Sequence, residues 1–541
     1  MSIAKSPVEQ RFDLLCELWM EAVADPAVRL VVWRIPGNAG RMLDAFFEAH
    51  KQSPQAMTPD YFLRFDTAFE TGFGYSRALA DALQTGYIGS RDKLKAQGLP
   101  INWRDAHLDA PASAAGTLQL MRSFGDYYHE HLRHFVAVLV PSTVSRADAL
   151  EAWLDAALRT PVPERLRVAL VDFDDGPQWS ALAARHGAAV RVIEAPIDMF
   201  DIARATAAQS SGGAGPSTAY RQVLTDVMTL LEKGRAAQVA RRAERGLAMC
   251  ERERWPDQQV VLHMAVAGAH MKEQQHPEAI GRYRAARESA QTAQLAGHPA
   301  GPNLLMQTWF GEAGAWLNAR QPARAAEAYA AGSAAAKAIP NGLFAIEGLR
   351  MAGFCHAQGG HKERAREHYL FGLGEAKAMP AADRPLTTLP LLLQDMLRLQ
   401  DPARVVQLEE CASRYQAQVT DAQTRAESRA AKLGANPVST DVDGIEAELV
   451  AAYEAAFQRL LDEREQLIAR GDDYFRKVVA VAREYLHPRW NGLPEVKHPL
   501  DKSPEQFSRP PSFAELPDPA ELLQSAAVPA EAVCAPVEAF A

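Results

Sequence analysis

The short loop Pro36–Arg41 (PGNAGR) is the first stretch whose residue types could do chemistry. It separates an apolar run from a helical pattern, and backbone amides at the start of a helix attract anions. A nucleotide-binding P-loop reads GxxxxGK[ST], with lysine on the phosphates and a hydroxyl on Mg²⁺. Here Gly37 and Gly40 are too close together, and Arg41 is followed by Met42. Gly37, Gly40 and Arg41 are therefore weak phosphate-binding candidates, and the simpler interpretation is a helix-start turn in which the glycines supply backbone freedom.

Three carboxylates, Asp172, Asp174 and Asp175, follow the apolar run VALV. Carboxylates at the end of a strand can hold Mg²⁺. They are equally suited to a solvated turn before Gly176. With the loop at Pro36–Arg41, they suggest a catalytically silent relative of nucleotide-binding α/β domains, which is an analogy at the level of the fold.

Residues 127–134 (YYHEHLRH) form the densest titratable cluster. A zinc-protease helix reads HExxH, so that two histidines at i and i+4 face one metal ion. Here the second histidine of that pattern falls one residue late, at His134, and no third ligand is evident. We expect a surface pair between Glu130 and His134 and no metal site. A hydrolase that uses this cluster is the least favoured function.

The other patterns also point away from catalysis. No GxSxG elbow, no cysteine with a matched histidine and no spaced carboxylate pair is evident in the sequence. We therefore expect no cofactor and no enzymatic activity. Arg241, Arg242 and Arg245 alternate with acids and fit a solvated helix face, or alternatively a groove that accepts an acidic or C-terminal carboxylate ligand.

Composition limits the class of protein. The 541 residues, 48% hydrophobic and 23% charged, suffice for several globular domains. A net charge of -9 argues against a dedicated nucleic-acid binder. Five widely spaced cysteines and the absence of an 18-residue apolar run predict a cytoplasmic protein without a membrane segment, disulfide framework or zinc site.

The elements that would position the candidate loops alternate between strands and helices over residues 1–205. This alternation predicts an α/β domain with a mainly parallel sheet covered on both faces. The strands expected are Arg29–Ile35, Tyr61–Phe65, His134–Val140, Arg165–Phe173 and Ala189–Ile193. A small, polar stretch at 206–217 is predicted to be a linker.

Between about Thr218 and Gly374 one pattern returns three times. Each copy has a small residue, a ring three residues later, alanine nine after that, tyrosine four later and a small residue three later. The copies are Ala267, His270, Ala279, Tyr283, Ala286; Ala313, Trp316, Ala325, Tyr329, Gly332; and Gly353, His356, Ala365, Tyr369, Gly372. Such offsets suit two antiparallel helices joined by a tight turn, with the rings in the core.

These positions resemble the tetratricopeptide repeat over roughly a third of the chain. Ala236 belongs to a fainter first copy, and the alanines at 236, 279, 325 and 365 are 43, 46 and 40 residues apart. The usual period is about 34 residues, so longer helices or connections are implied. The resemblance implies an all-α helical repeat array over 218–400 that binds a protein or peptide partner.

The region 401–490 is predicted to contain one long helix, Ile445–Leu486, with an apolar stripe that includes Leu460 and Leu467. The stripe repeats every 3.6 residues, which favours packing along the repeats or a partner over a free coiled coil. A homo-oligomer through this helix is also possible. The proline-rich tail, 491–541, is predicted to be disordered or to extend along a partner.

The sequence therefore predicts a non-enzymatic adaptor or scaffold, in one version chaperone-like, that binds a partner through the repeats. The alternative is a nucleotide-responsive regulatory switch with a degenerate phosphate-binding α/β domain. The sequence identifies neither the partner nor the oligomeric state.

Overall fold

The structure is a computed structural model that describes residues 5–51, 57–161, 164–209, 215–339, 341–507 and 509–526. The chain divides into two compact units. The first comprises Met1–Gln209 and Ala417–Tyr453, and the second comprises Ser210–Gln416 and Glu454–Ala541. No helix within the described ranges is both long and apolar enough to cross a membrane.

A five-stranded parallel sheet forms the centre of the first unit. Its strands are β1 (Leu30–Ile35), β2 (Tyr61–Phe65), β3 (Phe135–Leu139), β4 (Leu166–Phe173) and β5 (Val190–Glu194). Their order across the sheet is β2-β3-β4-β1-β5, and each neighbouring pair is parallel. The apolar, β-branched runs are typical of strands that are buried on both faces. The predicted α/β class and parallel sheet are confirmed.

Helices cover both faces of this sheet. They are α1 (Pro7–Ala22), α2 (Gly40–Ala49), α3 (Gly72–Ala96), α4 (Ala114–Tyr127), α5 (Ala147–Arg159), α6 (Ser180–His186) and α7 (Met199–Gln209). Because side chains alternate along a strand, Val31 and Trp33 pack with α1 and α2, whereas Leu30 and Val32 pack with α3 to α5.

The second unit consists mainly of consecutive packed helices. They are α8 (Pro216–Lys233), α9 (Ala236–Glu253), α10 (Pro256–Lys272), α11 (His276–Leu295), α12 (Gly301–Asn318), α13 (Pro322–Ala338), α14 (Gly342–Gln358), α15 (Lys362–Ala378) and α16 (Leu389–Gln400). After them come α17 (Pro402–Ala431), α18 (Ser439–Ala469), α19 (Asp473–Tyr485) and α20 (Ala520–Ser525). The expected helical array is confirmed.

Three hairpins, α10–α11, α12–α13 and α14–α15, share one turn geometry. Each turn has a residue in the left-handed region, with φ of 59° at Gln274, 58° at Arg320 and 78° at Gly360. The next amide, from Gln275, Gln321 or His361, donates to the carbonyl of the predicted ring residue, His270, Trp316 or His356, at 2.9, 3.0 and 2.9 Å. This bond closes the end of the first helix in each hairpin. The repeat in the sequence is therefore also a repeat in the backbone.

Small residues allow the paired helices to approach closely. Ala279, Ala325 and Ala365 have no exposed surface. A Cβ atom added at Gly353 would overlap the ring of Tyr369, which is itself 1% exposed. The tyrosine of the repeat therefore fills a space that the small residue leaves open, as its spacing predicts.

The prediction of one continuous helix over Ile445–Leu486 is wrong, because the helix is interrupted between Ala469 and Asp473. The Asp472 carboxylate accepts a hydrogen bond from the Phe475 amide at 2.8 Å, which caps α19. A Cβ atom at Gly471 would lie 2.7 Å from the Phe475 ring, so this site suits glycine. The stop signal is Gly471 followed by a capping aspartate.

The proline-rich tail is packed over its described part, so the expectation of disorder is wrong there. Just before the tail, Trp490 has no exposed surface, and within it Leu522 and Leu523 of α20 belong to the same core as α15, α16 and α19. Arg464, which is also fully buried, donates to Asn491 Oδ1 at 2.6 Å. Residues 508 and 527–541 lie outside the described part of the chain.

The end of α17 and the start of α18 form a hairpin that belongs to the first unit. The Glu427 carboxylate accepts a hydrogen bond from the amide of Gly72, the first residue of α3. Arg77 contacts Asp443 and Glu446, each at 2.6 Å. The boundaries between the two units after residue 400 fall inside α17 and α18, and long-range ion pairs and a hydrogen bond hold residues 417–453 to the α/β fold. Of the linker predicted at 206–217, residues 206–209 belong to α7, residues 210–214 lie outside the described ranges, Gly215 precedes α8, and α8 begins at Pro216.

Candidate interaction surface

A cluster of arginines and tryptophans lies on α11, α12 and α13. Its first member is Trp316, one of the predicted ring residues, which is 8% exposed. The indole N–H donates to Glu312 Oε1 at 3.1 Å, one turn earlier on α12. The helix thus fixes the ring through its own carboxylate.

Glu312 is a buried carboxylate that gathers cations from the preceding helix. It is 3% exposed and accepts a hydrogen bond from Arg284 Nε at 3.0 Å and another from Arg287 Nη1. A buried charge is tolerated when it is paired and hydrogen-bonded, and here three donors satisfy it. Glu312 therefore holds Arg284 and Arg287 of α11 in place.

Guanidinium groups also stack on both indoles. The Arg284 and Arg324 guanidinium carbons lie 5.6 and 4.7 Å from the Trp316 ring centroid, and that of Arg287 lies 3.8 Å from the Trp309 centroid. Such cation–π contacts are stabilising, more so when they are partly desolvated. We call Arg284, Arg287, Trp309, Glu312, Trp316 and Arg324 the arginine–tryptophan cluster.

The cluster carries an excess of positive charge that faces solvent. The Arg284 side chain is 53% exposed and Arg324 is exposed, whereas the Glu312 side chain is only 4% exposed. Among the described residues, no carboxylate forms an ion pair with Arg324. The cluster therefore presents two accessible guanidinium groups, which recognise carboxylates well.

The sequence identified only Trp316 of this cluster. The arginines were missed because they lie at solvated positions beside the repeat pattern, and only the fold brings α11, α12 and α13 together. A possible signal was the position of Arg284, directly after the repeated Tyr283.

The predicted basic candidates lie elsewhere, on α9. Arg242 forms a 2.5 Å ion pair with Asp226 of α8, while Arg241 and Arg245 are exposed. They belong to the first hairpin of the second unit and take no part in the arginine–tryptophan cluster.

The apolar stripe of the predicted long helix is covered by the chain itself. Leu460 is 2% exposed, and Leu467 is half-buried against the core of the second unit. Leu467 also lines an open cavity of about 310 Å³. The ion pair between Arg414 and Glu463, at 2.6 Å, borders this cavity.

In the first unit, the loop after β1 forms a short 3₁₀ turn, Gly37–Ala39, from which α2 continues at Gly40. Neither Gly37 nor Gly40 has positive φ, and a Cβ atom at either would meet nothing within 4 Å. The expectation that these glycines supply backbone freedom is therefore wrong, because any residue could adopt the conformation. Arg41 is exposed.

Asp172 is occupied by contacts within the protein. It is 2% exposed and accepts hydrogen bonds from the amides of Phe173 and Gln178, at 3.1 and 2.9 Å. Arg34 lies 3.3 Å away. The carboxylate thus closes the turn after β4, as the turn-forming interpretation expects, but Asp172 is buried and not solvated. In the described part of the chain, no group of three potential metal ligands is found.

The predicted pair between Glu130 and His134 is wrong, because α4 ends at Tyr127 and these residues do not share a helix. His134 is buried, and its Nδ1 lies 3.0 Å from Asp60 Oδ1. Asp60 also accepts hydrogen bonds from Trp19 Nε1 and Arg133 Nη2, both at 2.6 Å. Burial opposes ionisation of Asp60, but these donors outweigh it and hold its pKa well below the usual range.

Comparison with known proteins adds no relative. No family model matches the chain, and no curated protein matches its sequence. The function is therefore argued from the geometry.

Proposed function

We propose that the protein is a non-enzymatic adaptor or scaffold that binds a protein or peptide partner through its tetratricopeptide-like repeats. The arginine–tryptophan cluster is the observation that carries this proposal. Tryptophan and arginine are the residue types that most often dominate protein interfaces. A chaperone-like role, in which the partner is held for delivery or assembly, is one form of the same function.

The preorganisation of the cluster supports this proposal. A free arginine side chain loses rotamer entropy when it is fixed at an interface. Arg284 and Arg287 are already fixed by Glu312 and by the indoles, so a partner would find them close to their bound conformation. Binding would therefore cost less entropy than at an ordinary charged surface.

The cysteines support a cytoplasmic setting for this function. Cys16, Cys250, Cys355 and Cys411 are buried free thiols. Proteins of reducing compartments keep their cysteines in this state.

Affinity capture followed by reconstitution tests the proposal. The full chain, immobilised, is exposed to cytosol of its source, and each retained protein is purified and titrated against the chain by calorimetry. Saturable binding at a fixed stoichiometry is expected for at least one of them. If every retained protein fails to bind when purified, the adaptor function is wrong.

A second candidate, a nucleotide-responsive switch, is favoured by the topology of the first unit. In the order β2-β3-β4-β1-β5, the connection after β1 leads to the β2 edge of the sheet, and the connection after β4 leads to the opposite, β5 edge. The direction of the connections therefore reverses at the neighbouring strands β1 and β4. Ligands of open α/β sheets bind beyond the carboxyl ends of the strands at such a reversal. The loop of Gly37, Gly40 and Arg41 follows β1 at this place.

Unfolding in the presence of ligand tests this alternative. A ligand at a hundredfold excess over its dissociation constant adds about 2.7 kcal/mol to stability. A rise in the unfolding midpoint of the first unit with ATP or GTP plus Mg²⁺, abolished by Arg41→Ala, would support the switch. An unchanged midpoint would exclude it.

A further inference from the structure

The arginine–tryptophan cluster has a composition that selects among partner chemistries. It contains three guanidinium groups and one carboxylate, a local excess of two positive charges on a chain whose net charge is -9. Glu312 already accepts hydrogen bonds from Arg284, Arg287 and Trp316. The uncompensated charge thus lies on the solvent side.

We infer, on the basis of the proposed function, that the partner docks through a short acidic segment whose carboxylates bind Arg284 and Arg324 beside Trp316. Guanidinium groups bind carboxylates in a planar, two-pronged geometry that a lysine cannot reproduce. Arg284 would bind through the N–H groups that do not donate to Glu312, and Arg324 through both prongs of its guanidinium fork.

The spacing of the two arginines fits an extended peptide. Their guanidinium carbons lie within 5.6 and 4.7 Å of one ring centroid, so they are no more than about 10 Å apart. Residues i and i+2 of an extended chain project to the same side about 7 Å apart. Two acidic side chains at i and i+2 can therefore reach both arginines.

The same geometry disfavours nucleic acid. Single-stranded nucleic acid is held by bases that stack on open aromatic faces. In the cluster, guanidinium groups lie over the rings of both Trp309 and Trp316. The positive charge is also local, whereas a nucleic-acid groove follows the phosphate backbone over many residues.

Fluorescence anisotropy of the full chain with labelled peptides tests the inference. The probe is an eight-residue peptide of alternating Glu and Ala, compared with its Gln–Ala counterpart and with a single-stranded RNA of eight nucleotides. We expect binding of the Glu–Ala peptide that weakens with added salt. Removing two charge-assisted hydrogen-bonding groups by Arg284→Gln and Arg324→Gln should weaken it by about tenfold or more.

The matched control removes the same charge from α9, through Arg241→Gln and Arg245→Gln, and should change affinity by less than about threefold because these residues lie outside the cluster. Circular dichroism and the unfolding midpoint confirm that each variant is folded. A Glu312→Gln variant adds a positioning test. It should lower the affinity for the Glu–Ala peptide even though Arg284 and Arg324 are both present, because Glu312 orients Arg284.

If the α9 control loses as much affinity for the peptide as the Arg284→Gln/Arg324→Gln variant, the inference is overturned, since binding would then depend on net charge alone. Tighter binding of RNA than of the peptide would also overturn it. If the Glu–Ala peptide fails to bind while a purified partner still does, the acidic-segment inference is wrong and the adaptor function stands.

Discussion

The two units of the protein fill their cores in different ways. The α/β unit packs bulky rings on its sheet, among them Trp19, Trp33 and Phe62, all at most 1% exposed. The repeat hairpins are built on alanines and glycines, with single tyrosines such as Tyr329 between the helices. Close helix packing makes a surface of fixed shape, because there is little room for side-chain rearrangement. The arginine–tryptophan cluster lies on three of these packed helices, α11, α12 and α13.

The units also bury charge differently. In the α/β unit, the Asp60 carboxylate binds Trp19, Arg133 and His134 inside the core. In the repeat unit, Glu312 binds arginines that extend to the surface. The first arrangement stabilises the fold, whereas the second orients guanidinium groups that are exposed to solvent.

Removing a repeat tyrosine should have the largest effect on stability. Tyr329→Ala leaves a cavity between α12, α13 and α14 and should cost about 3–5 kcal/mol. Hydrogen exchange measured by mass spectrometry reports each unit separately, and protection should fall in the second unit only. Tyr329→Phe, the control, keeps the volume and should cost less than about 1.5 kcal/mol. A loss below about 1 kcal/mol for Tyr329→Ala would show that the repeat packing is misassigned.

Disrupting the buried network of the α/β unit should come next. Asp60→Asn removes the charge that holds Arg133 and His134 and should cost about 3 kcal/mol in the first unit, because three donors lose their buried anionic acceptor. Asp44→Asn, at the exposed partner of Arg64, is the control and should cost less than about 1 kcal/mol. Similar costs for both variants would contradict the distinction between core and surface charges.

Mild acid should weaken the repeat unit through His263 and His368. Burial lowers the pKa of each to about 4, with a further contribution to His263 from Arg282 and to His368 from His356 and Arg364. In the unfolded chain each histidine binds a proton below its ordinary pKa near 6.5, whereas in the folded chain it stays neutral until the pH approaches 4. The free energy of unfolding of the second unit therefore loses nothing from these histidines above a pH of about 6.5. It falls by about 1–3 kcal/mol per histidine as the pH approaches 4.

Urea unfolding at pH 7.5, 6, 5 and 4, followed by hydrogen exchange in the second unit, measures this dependence. The double variant His263→Gln and His368→Gln should flatten the profile. A wild-type profile that is already flat between pH 6.5 and 4 would show that both histidines are protonated in the folded state.

The smallest effect should come from the hairpin turns. Arg320 has φ of 58°, a conformation that costs a non-glycine residue roughly 1 kcal/mol. Arg320→Gly should therefore stabilise the second unit by up to about 1 kcal/mol, whereas Gly360→Ala at the equivalent turn should destabilise it by a similar amount. Chemical denaturation measures both. Effects of the same sign would contradict the shared turn geometry.

Local patterns predicted most of the elements. The strand Tyr61–Phe65 was predicted with its observed bounds, because a short run rich in aromatic and apolar residues is bounded by turn-forming residues. The repeat hairpins were predicted for a similar reason, since ring, alanine and tyrosine positions are separated by fixed local offsets.

Long-range contacts could not be predicted in this way. The capping of α3 by Glu427 joins residues 355 positions apart. The arginine–tryptophan cluster depends on the packing of α11 against α12 and of α12 against α13. Helix α20 lies in the tail whose proline content predicted disorder, yet its apolar side chains pack in one core with residues of α16 and α19. Composition cannot show such a match between distant surfaces.

Calorimetric titration of a purified partner against three forms of the full chain tests the central claim most directly. The forms are the wild type, the variant Arg284→Gln/Arg324→Gln and the variant Arg41→Ala. If the repeats provide the binding surface, affinity should fall by about tenfold or more for the first variant and stay within about threefold of the wild type for the second. Loss of binding with Arg41→Ala and normal binding with the double variant would place the interaction on the α/β unit and contradict the account.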